Sequence, residues 1–125
     1  MKKTKRLPDT EFEIMKVVWA NEPPITTNII MEQLGNNKNW KVPTAISLLL
    51  RLVERGFLKT EKFAKERLFY PLIEKEDYLQ CETGNFLKLY HNNSLISLLN
   101  SLYNGKKLNE RDIGALLEWA KEREQ

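Results

Sequence analysis

The sequence holds one cysteine, Cys81, and one histidine, His91. A lone cysteine excludes an internal disulfide and points to a reducing compartment, the cytoplasm. One cysteine and one histidine give no zinc-type spacing and no Ser/His/Asp set. The five glycines are scattered, so there is no glycine-rich phosphate loop. Long apolar runs are also missing: none approaches the roughly 20 residues that cross a bilayer. The basic start, MKKTKRLPDTE, leads into no apolar stretch, unlike a secretory signal. These absences predict a protein of the cytoplasm that is no enzyme, holds no cofactor or metal and contacts no membrane. His91 stands at a helix end, where it complements the helix dipole.

What is present suits a folded chain. Its 125 residues are 42% apolar and 30% charged, which is a globular composition and not a disordered one. The length fits one domain, or one small domain with an appendage. The net charge of +3 is unevenly spread. Residues 1–72 carry 13 Lys and Arg against 8 Asp and Glu, a balance of +5; residues 73–125 carry 7 against 9, a balance of −2. A basic N-terminal part suits a phosphate backbone, and ordinary charge scatter is the plain alternative.

The chain is organised around Trp40 to Phe57, WKVPTAISLLLRLVERGF. Pro43 fits the first turn of a helix, where its missing N–H would be unpaired anyway. Ala45, Leu48, Leu49 and Leu52 recur at helical spacing and make one apolar stripe. Thr44, Ser47 and Arg51 fall on the opposite face. Gly56 stops the helix, with Arg55 near the negative end of its dipole. Two strand-like runs follow, Phe57 to Phe63 and Arg67 to Leu72, joined by a polar turn at Ala64, Lys65 and Glu66. A helix running into a basic-tipped hairpin is the pattern of a winged helix, whose second helix-turn-helix element enters the major groove.

Upstream, Lys2, Lys3, Lys5 and Arg6 form a short basic arm that either reaches phosphates or is simply an exposed end. Asp9 or Thr10 caps a helix through about Ala20, with Thr10 and Glu13 as a capping box and Phe12, Met15, Val18 and Trp19 facing inward. Ile25 supplies a minimal strand. Thr26 or Thr27 opens a second helix through Leu34, closed by Gly35, with Ile29, Ile30 and Leu34 inward. Trp40 acts as a hydrophobic staple at the third helix.

Downstream the chain reads as helical. Glu74 to Tyr90 is one amphipathic run, with Tyr78, Leu79, Cys81, Phe86 and Leu89 as apolar candidates. Asn92 and Asn93 break it. Ser94 starts a second run carrying Leu95, Ile96, Leu98, Leu99 and Leu102. Asn109 caps a last helix with Ile113, Leu116, Leu117 and Ala120, and Trp119 on its flank. About fifty residues in three short helices cannot bury this much carbon alone. A second copy would cover it, and a two-fold dimer matches palindromic half-sites. The alternative is that these helices fold back on their own winged helix. The expected fold is therefore mainly α with a small β-hairpin: a winged helix-turn-helix over 1–72, then a three-helix dimerisation part over 73–125.

Several motifs, taken together, resemble the penicillinase and methicillin-resistance repressors, the BlaI/MecI/CopY family. They are Asp9 to Trp19 (DTEFEIMKVVW), the Trp40…Thr44…Ser47-Leu48-Leu49…Arg51-Leu52 helix, Gly56 with its apolar follower, and the Tyr-Pro-Leu ending at Leu72. The resemblance covers nearly the whole length. It implies a dimeric repressor that binds double-stranded DNA at a palindromic operator, often of TACA/TGTA type. It places base contacts at Thr44, Ser47 and Arg51 and a backbone contact at Arg67. Lys41, Ile46 and Lys65 complete the expected DNA-binding set. The expected dimer contacts are Phe86, Leu95, Leu98, Leu99, Leu102, Ile113, Leu116 and Leu117.

The chain departs from the family at two reading positions. The family usually has a basic residue where Pro43 stands, and often another at Ile46. Two lost cations should lower the salt dependence of binding by up to about two units of slope. Ile46 and Leu50 leave an apolar face that reads thymine methyls or packs inside the protein. A second reading follows: an adaptor that has lost its operator and docks a protein on that face. The resemblance also implies switching by a signalling protease that cuts an Asn-Phe bond. Asn100 matches the asparagine, while Ser101 replaces the phenylalanine. The copper-responsive branch has a C-terminal cysteine cluster that this chain lacks.

Overall fold

The computed structural model describes residues 6–124. Lys2, Lys3 and Lys5 of the basic arm lie outside the described residues. Helix α1 spans Asp9–Ala20. The extended residue Pro8 stands at its N-cap, and its carbonyl accepts from the Phe12 N–H at 2.9 Å. The expected Thr10–Glu13 capping box is not formed, because Thr10 is already inside the first turn. Asp9 and Glu11 supply the negative charge that the helix start favours. Ile14, Met15 and Val18 are buried, with Phe12 and Trp19 packed half-buried beside them.

Strand β1 is Ile25–Thr26, and it leads directly into α2, Thr27–Ile30. The Thr26 hydroxyl caps α2 by accepting from the Ile29 N–H at 3.2 Å. The expected helix through Leu34 does not keep one pitch: Met31–Gly35 widens into a π-helical turn. Gly35 is buried there, and a Cβ on it would stand 2.5 Å from the Met31 sulfur. Trp40 is half-buried, and its N–H donates to the Gly35 carbonyl at 2.9 Å.

Helix α3, Val42–Glu54, lies on this core through Ala45, Leu49 and Leu52. Leu48, expected in the same stripe, is only half-buried. Gly56 has φ 84°, a conformation that costs glycine little. Its N–H donates to the Val53 carbonyl and the Phe57 N–H to the Leu52 carbonyl, a Schellman ending. That turn delivers Phe57 and Leu58 into the core.

Strands β2, Leu58–Phe63, and β3, Glu66–Pro71, form the hairpin. The sheet order is β1-β3-β2, antiparallel throughout. Phe63 pairs with Glu66, so the loop is the two residues Ala64 and Lys65, one shorter than expected. Helix α4 spans Lys75–His91, and its Tyr78 is buried among Phe12, Trp19 and Phe57. The Trp19 indole N–H donates to the Ile73 carbonyl at 2.9 Å.

The chain separates into two compact units, Met1–Glu82 and Thr83–Gln125, with the division inside α4. The second unit holds the rest of α4, α5 at Leu95–Asn104 and α6 at Glu110–Glu122. Ser94 caps α5, and Asn109 with Asp112 forms a reciprocal capping box on α6. His91 ends α4, with Nδ1 2.9 Å from the Ser97 hydroxyl. No residue of α5 or α6 is fully buried. Among the described residues, no helix is long and apolar enough to cross a membrane.

Candidate nucleic-acid interface

The face of α3 opposite its buried stripe carries Thr44, Ser47 and Arg51, all exposed. They line one open depression together with Pro43 and half-buried Leu48. This arrangement follows from helical spacing, since Pro43, Ser47 and Arg51 are successive i, i+4 positions. Lys41, exposed, is the N-cap residue of the same helix. Ile46 is half-buried on the flank. Leu50 packs against the core, so the apolar Ile46/Leu50 face expected from the sequence is not a free docking surface.

The hairpin adds a second group. Its core-facing side runs Leu58, Thr60, Lys62 on β2 opposite Pro71, Phe69, Arg67 on β3. The core ends at Phe69, and beyond it Lys62 stands directly across from Arg67, both exposed. Like charges in that position oppose each other and weaken the hairpin unless an anion lies between them. Lys65 is exposed at the loop tip. Lys62 was absent from the sequence-based set. Its signal is the register: a two-residue loop pairs 62 with 67, whereas a three-residue loop hides the pair.

Some cations of the first unit are paired with carboxylates. Arg55 pairs with Glu11, Lys38 with Glu13, and Arg6 with Asp9 and Glu82. These are spent inside the protein. Among the described residues, no carboxylate comes within 4.0 Å of Lys41, Arg51, Lys62, Lys65 or Arg67. Lys16 on α1 and Lys75 on α4 are also without such a partner among the described residues, but five of the unspent cations gather at α3 and the hairpin. Nitrogen donors with no partner in the protein suit phosphate oxygens, which need no proton from the ligand.

A family model described as penicillinase repressor matches residues 7–122. The chain belongs to the penicillinase repressor family. The penicillinase repressor of Bacillus licheniformis is 30% identical over 118 residues, covering 94% of this chain and 91% of that protein. The methicillin resistance regulatory protein MecI of Staphylococcus aureus (strain N315) is 27% identical over 114 residues, 91% of this chain and 92% of its own length. Two solution structures are also similar. One is the DNA-binding domain of the repressor BlaI, with TM-score 0.53, 35% identity, and coverage of 62% of this chain and 94% of that one. The other is Bacillus licheniformis BlaI in its monomeric form with the blaP half-operator, with TM-score 0.51 and the same identity and coverage. The winged-helix part of this penicillinase repressor family member is thus similar in fold to a domain solved on DNA.

The remaining predicted positions lie in the second unit. Phe86, Leu95, Ile113, Leu116 and Leu117 are exposed, while Leu98, Leu99 and Leu102 are half-buried. The Phe86 ring lies tilted beside Tyr90 and His91 on its own helix, with ring centroids 5.0 and 5.8 Å away. Asn100 and Ser101 sit in the second half of α5, both exposed.

Proposed function

We propose that this chain is a transcriptional repressor that binds double-stranded DNA at a palindromic operator as a homodimer. The observation that carries the reading is a cluster of unpaired cations: Lys41 and Arg51 at α3 and Lys62, Lys65 and Arg67 on the hairpin have, among the described residues, no carboxylate within 4.0 Å. In this reading α3 lies in the major groove. Thr44 and Ser47 meet base edges, and Arg51 and Lys41 meet phosphates or bases. Lys62, Lys65 and Arg67 hold the hairpin on the sugar–phosphate backbone. The two similar BlaI structures, one on a half-operator, support this placement.

The homodimer rests on carbon. Phe86, Leu95, Ile96, Tyr103, Leu116, Leu117 and others in the second unit remain exposed in one chain. Large apolar side chains exposed in that number fit a contact with another protein surface. A second copy gives the two-fold symmetry that a palindrome needs. Capture of fragmented genomic DNA by the full-length protein, followed by sequencing, tests the reading. It predicts a few enriched sites with inverted repeats. Uniform recovery of all fragments would contradict it.

Release by a signalling protease at Asn100–Ser101 belongs to the same reading. The bond is within α5, so cutting it requires that this helix first open. An intact chain after induction of the sensor system would remove this part.

A further inference from the structure

The reading face of α3 is short of charge at its N-terminal end. Val42, the first helical residue, is 49% exposed. Pro43 follows it, also exposed, in the depression that Thr44, Ser47, Leu48 and Arg51 complete. Two carbon-only side chains therefore stand where a polyanion approaches. Lys41 lies just before them, and Arg51, two turns beyond, lines the far end of the depression. Leu48 adds apolar surface to the depression, and the Thr44 side chain adds a methyl beside its hydroxyl.

Among the base edges in the major groove, only thymine offers carbon, through its C5-methyl group. Guanine, adenine and cytosine present donors and acceptors there. Pro43 has neither a charge nor a side-chain hydrogen-bonding group to answer them. Ile46 and Leu50 do not serve the purpose, because neither lines the depression.

We propose that the depression lined by Pro43, Thr44, Ser47, Leu48 and Arg51 takes the C5-methyl of a thymine, so that this repressor recognises that base by carbon contact. The proposal rests on the DNA-binding reading above and adds the specificity of one position to it.

The test alters the DNA and leaves the protein intact. Duplexes enriched by the full chain from a random-sequence pool are remade with deoxyuridine in place of one thymine at a time. Uracil pairs as thymine does and lacks only the methyl. Affinity should fall about fourfold at one position per half-site, the value of one buried methyl, and stay unchanged elsewhere. Pro43→Ser, checked for an unaltered melting transition, should reduce that thymine-over-uracil ratio towards one. Indifference to uracil at every position would overturn the methyl site while leaving DNA binding in place. A thymine preference that survives Pro43→Ser would overturn the assignment to this depression. No enrichment of any duplex would overturn both this site and the DNA-binding reading.

Discussion

Arg55 Nε donates to Glu11 Oε1 at 2.7 Å, joining the end of α3 to the first turn of α1. Glu11 is only 2% exposed, and Arg55 remains half-open to solvent. The carboxylate has given up water, and Arg55 is the cation that answers it. Arg55→Met should therefore leave a buried, unpaired charge and cost about 3 kcal/mol, read as a lower midpoint in urea unfolding. Glu11→Gln keeps a hydrogen-bond acceptor and should cost about 1 kcal/mol. Equal losses in the two variants would show that the pair contributes packing alone.

Tyr78 gives a pH signature. Its hydroxyl accepts from the Leu7 N–H at 2.9 Å within the core. Burial pushes its pKa above 10.0; the Leu7 hydrogen bond opposes this, and the negative charge of Glu82 adds to the rise. Between pH 10 and the folded-state value, the native chain keeps a proton that the unfolded chain has released. The stabilisation is full below about pH 10 and is lost as pH rises through the folded-state value. Tyr78→Phe should be less stable at neutral pH by about 1–2 kcal/mol, because the Leu7 N–H is left without its partner. Its stability should also fall less steeply above pH 10 than that of the unaltered chain. Parallel alkaline profiles would contradict this.

Lys62 and Arg67 face each other across the hairpin, which predicts opposite effects on stability and binding. Lys62→Gln removes a like-charge opposition and should leave stability unchanged or raise it by a few tenths of a kcal/mol. It should weaken binding to all duplexes alike and lower the salt slope by about one. Unaltered binding with an unaltered salt slope would place the hairpin away from the backbone.

Leu116 stands on α6, every residue of which is exposed in a single chain. If a second copy covers this surface, Leu116→Asp should yield monomers in sedimentation at concentrations where the unaltered protein is dimeric. Its helix should persist, since the substitution falls outside the Asn109–Asp112 capping box. Dimers in both proteins would place the contact elsewhere.

What the sequence disclosed follows from range. Gly56 and the Ser94 and Asn109 caps act within a few residues, so composition and spacing reveal them. The stripe of α3 is likewise local, and with it the exposed Thr44, Ser47 and Arg51. The π-helical turn at Met31–Gly35 broke the assumption of one helical pitch, and the close approach of Met31 to Gly35, which leaves no room for a Cβ, is a contact that apolar spacing does not reveal. Thr10 and Glu13 fit a capping box by spacing, but Pro8 started the helix two residues earlier. The Glu11–Arg55 pair spans 44 residues and leaves no local trace. Lys62 was missed because one residue of loop length changes which side chains meet across a hairpin.

The central claim is that α3 and the hairpin read operator DNA. Its most direct test is a titration of the full chain against a palindromic TACA/TGTA duplex and a scrambled duplex, each at two salt concentrations. Binding should be tighter to the palindrome at both salts. Arg51→Ala should weaken binding to both duplexes and lower the salt slope, while Thr44→Ala should narrow the difference between them. Weak, equal binding to both duplexes with little salt dependence, unaltered by either substitution, would contradict the claim.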